Sequence, residues 1–284
     1  MEESVYDKKG EISVSKRNQL QRCNMIIVFF SVCFLASIIG AICGIGGGVI
    51  IKPVLDAVGV LDVSAISFLS GCTVLSMTTY SVIKSKLSGE SRLELKTSMP
   101  LALGAAVGGL VGKWLFSWVK SMSSNPNKVG AIQAICLLIV TLGTLLYTIF
   151  KSRIRTYNLE NRLGCACIGV LWGIMSSFLG IGGGPINLVM LFFFFSMPTK
   201  TAAENSLYII FFSQIASLLS SLATGSVPEF GIEILLVMVS GGILGGICGW
   251  SINKKIKEST VDQLFIGLMV VMILINIYNI FKYI

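Results

Sequence analysis

The chain has no histidine, few prolines and little charge. Of its 284 residues six are proline and only 13% are Asp, Glu, Lys or Arg. Without histidine there is no Ser/His or Cys/His nucleophile pair and no histidine-bearing zinc site. No paired carboxylates offer acid–base chemistry either, so the reading is not an enzyme: no catalytic residue, metal or cofactor is expected. A soluble domain carries charge on roughly a quarter of its residues, which excludes an ordinary soluble protein and a disordered chain. The eight cysteines lie mostly within apolar stretches, as small buried hydrophobes do, and Cys165-x-Cys167 lacks metal-ligand spacing. What the chain has instead is apolar bulk: 54% hydrophobic residues and a mean hydropathy of +0.83. The net charge of +8 is clumped between apolar runs, not interleaved with a soluble core as in a nucleic-acid binder. Nucleic acid is therefore not an expected partner. The composition describes an integral membrane protein.

A bilayer core of about 30 Å needs roughly 20 apolar residues in a helix. The charge-free runs are Met25–Ile51, Val63–Ile83, Thr97–Gly112, Val129–Phe150, Leu163–Thr199, Asn205–Pro228, Ile234–Asn253 and Gln263–Phe281. A closed barrel would need alternating polarity, which these runs lack, so about eight transmembrane helices are predicted. Residues 1–24 form a polar tail. With eight crossings and the N-terminus inside, 14 basic residues fall on the cytoplasmic side and six outside, the asymmetry expected of a multi-pass cell-membrane protein. The basic loop 254–257 dissents, because this scheme places it outside.

The chain also repeats itself. Cys43–Ile50 reads CGIGGGVI, and Leu179–Ile186 reads LGIGGGPI, 136 residues later. Gly104, Gly108 and Gly112 recur as Gly241, Gly245 and Gly249 at an offset of 137. The expected organisation is a first transmembrane repeat over 25–151, a basic linker over 152–161 and a second repeat over 162–284. Each repeat holds four helices, the first of them broken at its Gly-rich motif. Leu163–Thr199 has 37 residues, about 55 Å as one helix, and three adjacent glycines near its middle mark a break. If each segment after the break crosses fully, ten crossings result and the repeats are inverted.

Duplicated halves around a central site are the usual construction of secondary transporters. A helix starting at each break would present unpaired N–H groups and a partial positive charge, and glycine allows close approach of an anion. The anion-site candidates are therefore Gly44, Gly46, Gly47 and Gly48 with Lys52, and Gly180, Gly182, Gly183 and Gly184 with Pro185 and Asn187. Asn205 and Ser206, with Ser70 and Thr73, are candidate pathway residues. Glu204, an acid at the start of an apolar run, is a coupling candidate; a helix-start carboxylate with no further role is the competing reading. Lys113 is read as a residue that snorkels to the interface. The glycine stripes over 104–112 and 241–249 are read as close-packing faces.

With two four-span halves, each opening on G-x-G-G-G (Gly44-Ile45-Gly46-Gly47-Gly48 and Gly180-Ile181-Gly182-Gly183-Gly184), the chain resembles the sulfite exporter TauE/SafE family from residue 25 to 284. Ala203-Glu204-Asn205-Ser206-Leu207 is similar to the family's small-Gly-Thr-Ser-Leu stretch, with Glu204 and Asn205 in place of smaller residues. The resemblance implies a permease that moves sulfite, a sulfonate or a related sulfur-containing anion, mostly outward. The alternative is a cation-coupled permease or channel for another small solute. The expected partners are a small anion and the bilayer, and assembly into a homo-oligomer is left open.

Overall fold

The computed structural model describes residues 24–89, 91–122, 126–159, 161–179 and 183–283. The tail up to Cys23, and Gly180 and Gly182 of the second break, lie outside the described residues. Within them every regular element is a helix: α1 (Asn24–Cys43), α2 (Gly48–Val58), α3 (Val63–Leu87), α4 (Leu95–Met122), α5 (Pro126–Phe150), a 3-10 turn at Lys151–Arg153, α6 (Arg162–Leu179), α7 (Gly184–Phe195), α8 (Thr199–Ala223), α9 (Ile232–Lys255) and α10 (Glu258–Tyr283). Eight apolar runs become ten helices because the first and fifth are each broken at their glycines. Six helices (α1, α3, α4, α8, α9 and α10) are long and apolar enough to cross a membrane, and α5, α6 and α7 contain shorter apolar helices. Leu35, Ile139, Leu171 and Leu274 are among many large side chains left exposed. Water would not tolerate such a surface, whereas lipid requires it.

The first break is a chain reversal. Ile45 N–H donates to Gly40 O at 3.1 Å, and Gly44 between them has φ +75°. This six-to-one bond around a left-handed residue is how many helices stop. Gly47 then starts α2 against the flank of α1, so close that a Cβ on Gly47 would lie 2.9 Å from Ala36 O. On the far side of the linker, α7 starts after Gly183 at φ +106° with Pro185 in its first turn, where the missing N–H costs nothing.

Glycine faces set the helix directions. Cβ atoms at Gly104, Gly108 and Gly112 of α4 would fall 2.0–2.4 Å from the carbonyl oxygens of Ala166, Val170 and Ile174 of α6. Gly241, Gly245 and Gly249 of α9 meet Phe30, Phe34 and Ile38 of α1 at 2.5–3.1 Å in the same manner. Residue numbers rise together in both pairs, so each pair is parallel. The glycine stripes are close-packing faces. Gly242 and Gly246 likewise place α9 parallel to α3 at Thr73 and Met77. By contrast α3 and α8 are antiparallel: Gly71 meets Gln214 while Ser85 donates to Glu204.

These directions correct the eight-crossing scheme. Loop 84–96 adjoins the start of α8 through Glu204, whereas Phe230, in the loop after α8, stacks on Phe68 near the start of α3 with ring centroids 5.5 Å apart. Loops 84–96 and 229–233 thus lie at opposite ends of α3, a helix of 25 residues and about 37 Å, not on one face. The reason is the reversal at Gly44–Gly47: α2 turns back, so α3 runs in the direction of α1. At the same end as loop 84–96, Lys151 pairs with Asp262 at 2.6 Å and with Thr199 at 3.0 Å, tying α5, α10 and α8 together. Linker residues Tyr157 and Leu159 donate there to Phe193 O and Phe194 O.

Candidate functional site

Among the described residues the antiparallel pair α3/α8 carries many of the buried polar side chains, Ser70, Thr73, Asn205 and Ser206 among them. Thr73, Thr78 and Ser81 of α3 return their hydroxyl protons to carbonyls one turn back, at 2.8–3.0 Å, which satisfies them in an apolar setting. A cavity opens at each end of this pair.

The first cavity, of about 120 Å³, lies where α3 begins and α8 ends. It is lined by Gly48 and Lys52 of α2, Ser67, Ser70, Gly71 and Val74 of α3, Lys113 of α4, Ser177 of α6, and Ser213, Gln214 and Ser217 of α8. Lys52 reaches it because the break turns α2 back alongside α3. Lys113 Nζ donates to Ser221 Oγ at 2.8 Å and to Ser217 O and Oγ at 3.3 Å. Two ammonium groups, five hydroxyls and an amide around so small a volume suit a compact anion: the cations supply charge and the hydroxyls supply orientable donors.

The second cavity, of about 280 Å³, lies at the other end. Its lining includes Ser81, Ser85, Arg92, Lys200, Glu204, Leu207, Trp250 and Lys254. Glu204 accepts from Ser85 Oγ, from Ser91 Oγ at 3.1 Å and from Arg92 N at 3.1 Å. Lys200 Nζ donates to Asn253 O and Ile256 O, both at 2.6 Å, capping the carbonyl end of α9 as a cation does. Lys84 and Lys254 lie over the Trp250 ring at 5.5 and 4.4 Å, within the range of cation–π attraction.

The structure separates the residues grouped by sequence. Of the anion-site candidates, Gly48 and Lys52 line the first cavity. Gly44 is pressed on α8, where its Cβ would fall 2.2 Å from Ala203 Cα, and Gly47 lies against Ala36. Gly46 and Gly183 approach each other across Ile210: their Cβ atoms would stand 3.3 Å and 3.2 Å from its side chain. The Ile210 side chain thus lies beside both of these glycines. Gly184, Pro185 and Asn187 are buried at the start of α7. Asn187 lines a separate niche with Trp172 and Leu191, its Nδ2 beside Gly183, 2.8 Å from that residue's Cβ position.

Asn205 is fully buried and bonded on both sides of its amide. Its Nδ2 donates to Arg92 O at 3.0 Å and Thr201 O at 2.7 Å, and its Oδ1 accepts from Glu94 N at 3.0 Å and from Ser98 Oγ. It clamps loop 91–94 to α8. Ser206 is buried on the same helix. Sequence reasoning missed Lys113 as a lining residue, and with it Ser67, Ser177, Ser213, Gln214 and Ser217. The available signal was the i, i+4 spacing of Ser213, Ser217 and Ser221, one polar stripe along the later half of α8.

The family described as Sulfite exporter TauE/SafE matches residues 29–275. A probable membrane transporter protein of Bacillus subtilis (strain 168), YunE, is 24% identical, the match covering 87% of this chain and 94% of that protein. A probable membrane transporter protein of Methanocaldococcus jannaschii is 27% identical, over 79% of this chain and 85% of that protein. No solved structure matches the chain.

Proposed function

The chain belongs to the sulfite exporter TauE/SafE family of membrane proteins, and from that premise we propose that it is a secondary transporter exporting a small oxidised-sulfur anion, sulfite or a sulfonate, across the cell membrane. The observation that carries the anion reading is the convergence of Lys52 and Lys113 with five serines on one cavity of about 120 Å³. Burial of a cation within a membrane protein is costly and marks a functional path, and here two share one volume.

We read the helices as two inverted halves, an arrangement that supports transport. Helices α1–α5 precede the linker and α6–α10 follow it, with the short members α2 and α7 each directly after a break. Exchanging the halves exchanges the contact of α4 with α6 for that of α9 with α1. Inverted repeats around a central path are a common transporter design. With α3 and α8 antiparallel, loops 84–96, 151–162 and 254–257 and Lys200 share one end and carry twelve basic residues, against eight at the end holding the tail. The positive-inside rule then puts the basic end in the cytoplasm and the N-terminus outside, the reverse of the eight-crossing count, and loop 254–257 no longer dissents. Cysteines placed at Gly89 and Gly231 are expected to react with an impermeant thiol reagent from opposite sides, Gly89→Cys from the cytoplasm. Reaction of both from one side would remove the inverted arrangement.

The functional test is flux in proteoliposomes. Loaded sulfite is expected to leave protein-containing vesicles faster than empty ones, with sulfate and chloride as competitors to rank selectivity. No flux above empty vesicles for sulfite or any sulfonate would reject the substrate class. Glu204, a carboxylate in the wall of the second cavity, is the coupling candidate within the same reading. Glu204→Gln is expected to slow flux, and an unaltered rate would leave Glu204 as a clamp on loop 91–94 alone.

A further inference from the structure

We propose that the two cavities are the two mouths of a single anion path, closed between them by the apolar side chains of Val74, Met77, Leu207 and Ile210. The inference rests on reading the serine-lined cavity as the anion site, and it adds the second mouth and the barrier.

The correspondence of the linings carries the argument. Ser217 of the first cavity and Ser81 of the second are 136 residues apart, as are Gly71 and Leu207, and Ala41 and Ser177. Lys113 and Trp250 stand at the offset of 137 that relates the glycine stripes. Cavities unrelated to the repeat would not draw on equivalent positions at opposite ends of an antiparallel helix pair. An exchange of halves carries one cavity onto the other, so they open toward opposite ends of one molecule.

Between them the lining changes character. Val74 and Ile210, also 136 apart, meet where both glycine breaks approach: Gly46 lies against both, and Gly183 against Ile210. On the side of the second cavity Met77 and Leu207 form a small apolar cluster with Ala41, set apart from the main core. Met77 is 0% and Leu207 6% exposed. The equivalents of Met77 and Leu207 in the other half are Ser213 and Gly71, and both line the first cavity. One side of the barrier is small and polar, the other large and apolar. A hydrated anion cannot pass a dry apolar constriction, which gates by excluding water. Arg92, Lys200 and Lys254 supply the positive charge at the second mouth that Lys52 and Lys113 supply at the first.

The experiment needs no knowledge of the substrate. Ser217→Cys and Ser81→Cys are each made in the otherwise native chain, exposed to an impermeant thiol reagent in spheroplasts and in inverted membrane vesicles, and the modified residue is identified by mass spectrometry. Each is expected to react from one side only, Ser81→Cys from the side of loop 84–96 and Ser217→Cys from the other. Reaction of both from the same side would overturn the two-mouth assignment. Adding Met77→Ser and Leu207→Gly, which copies Ser213 and Gly71 onto the barrier, is expected to make each cysteine react from both sides, at least about tenfold faster from the formerly silent one. One-sided reaction that persists in this variant, with its melting temperature intact, would overturn the barrier assignment. If the double substitution lowers expression, Leu207→Gly alone is read in the same way. Protection of Ser217→Cys by sulfite reports the anion reading separately, so either idea can fail while the other stands.

Discussion

Replacing Lys113 by methionine is expected to weaken anion binding roughly tenfold to hundredfold while leaving the fold intact. Methionine keeps most of the length and apolar volume of the stem and removes only the charge and its donors. A hydrogen bond involving a charged group contributes about 1.5–3 kcal/mol, and each 1.4 kcal/mol is about tenfold in affinity. Lys113 donates to Ser217 and Ser221. Ser221 Oγ has another outlet, because it also donates to Ser217 O at 3.1 Å, and the Ser217 hydroxyl can rotate to suit. Loss of the ammonium group should therefore leave little penalty in the fold. Lys52→Met is expected to act in the same direction, and the double variant to bind more weakly than either single one. Titration of purified variants with sulfite gives the affinity, and a thermal melt on each separates binding from folding. Full affinity in Lys113→Met would make Lys113 the interfacial snorkelling residue that its place near the end of an apolar run first suggests.

That residue shows what was legible in the sequence and what was not. Apolar runs, the glycine breaks and the packing stripes are local patterns, and the helices follow them closely. Even the start of α7 at Gly184-Pro185 is legible, because proline constrains its own residue and the one before it. Direction is different. Whether a short segment after a break continues or turns back depends on which surface its glycines fit, and for Gly47 that surface is Ala36, eleven positions earlier on α1. Once α2 turns back, α3 reverses with it, and Lys113 on α4 comes to face Ser217 on α8 across 104 positions of chain. No window of neighbouring residues contains that pairing. Glu204 and Asn205 show the same limit: the run reveals two polar residues at a helix start, but not that they hold loop 91–94 through Arg92 and Glu94 and the start of α4 through Ser98.

The glycines of the first break give the sharpest contrast between a binding role and a packing role. Gly44→Ala is expected to lower the melting temperature severely and to reduce the yield of folded protein, rather than to spare the fold and abolish binding. Two costs fall on one atom. With φ at +75°, a residue bearing Cβ pays roughly 1–2 kcal/mol for left-handed backbone. That Cβ would also stand 2.2 Å from Ala203 Cα and 2.5 Å from Ala203 O. No side-chain rotation relieves a clash with backbone, so α8 itself must move, at a cost of roughly 1–3 kcal/mol or more. Together these take a large part of a typical native stability of about 5–15 kcal/mol. Gly89 is the control: its φ is +67°, yet nothing lies within 4 Å of the Cβ position. Gly89→Ala should therefore show only the backbone cost, on the order of 1 kcal/mol. The difference between the two melting temperatures isolates the contact with Ala203. If Gly44→Ala melts with Gly89→Ala and loses anion affinity, the contact is tolerated and the glycine acts on the ligand.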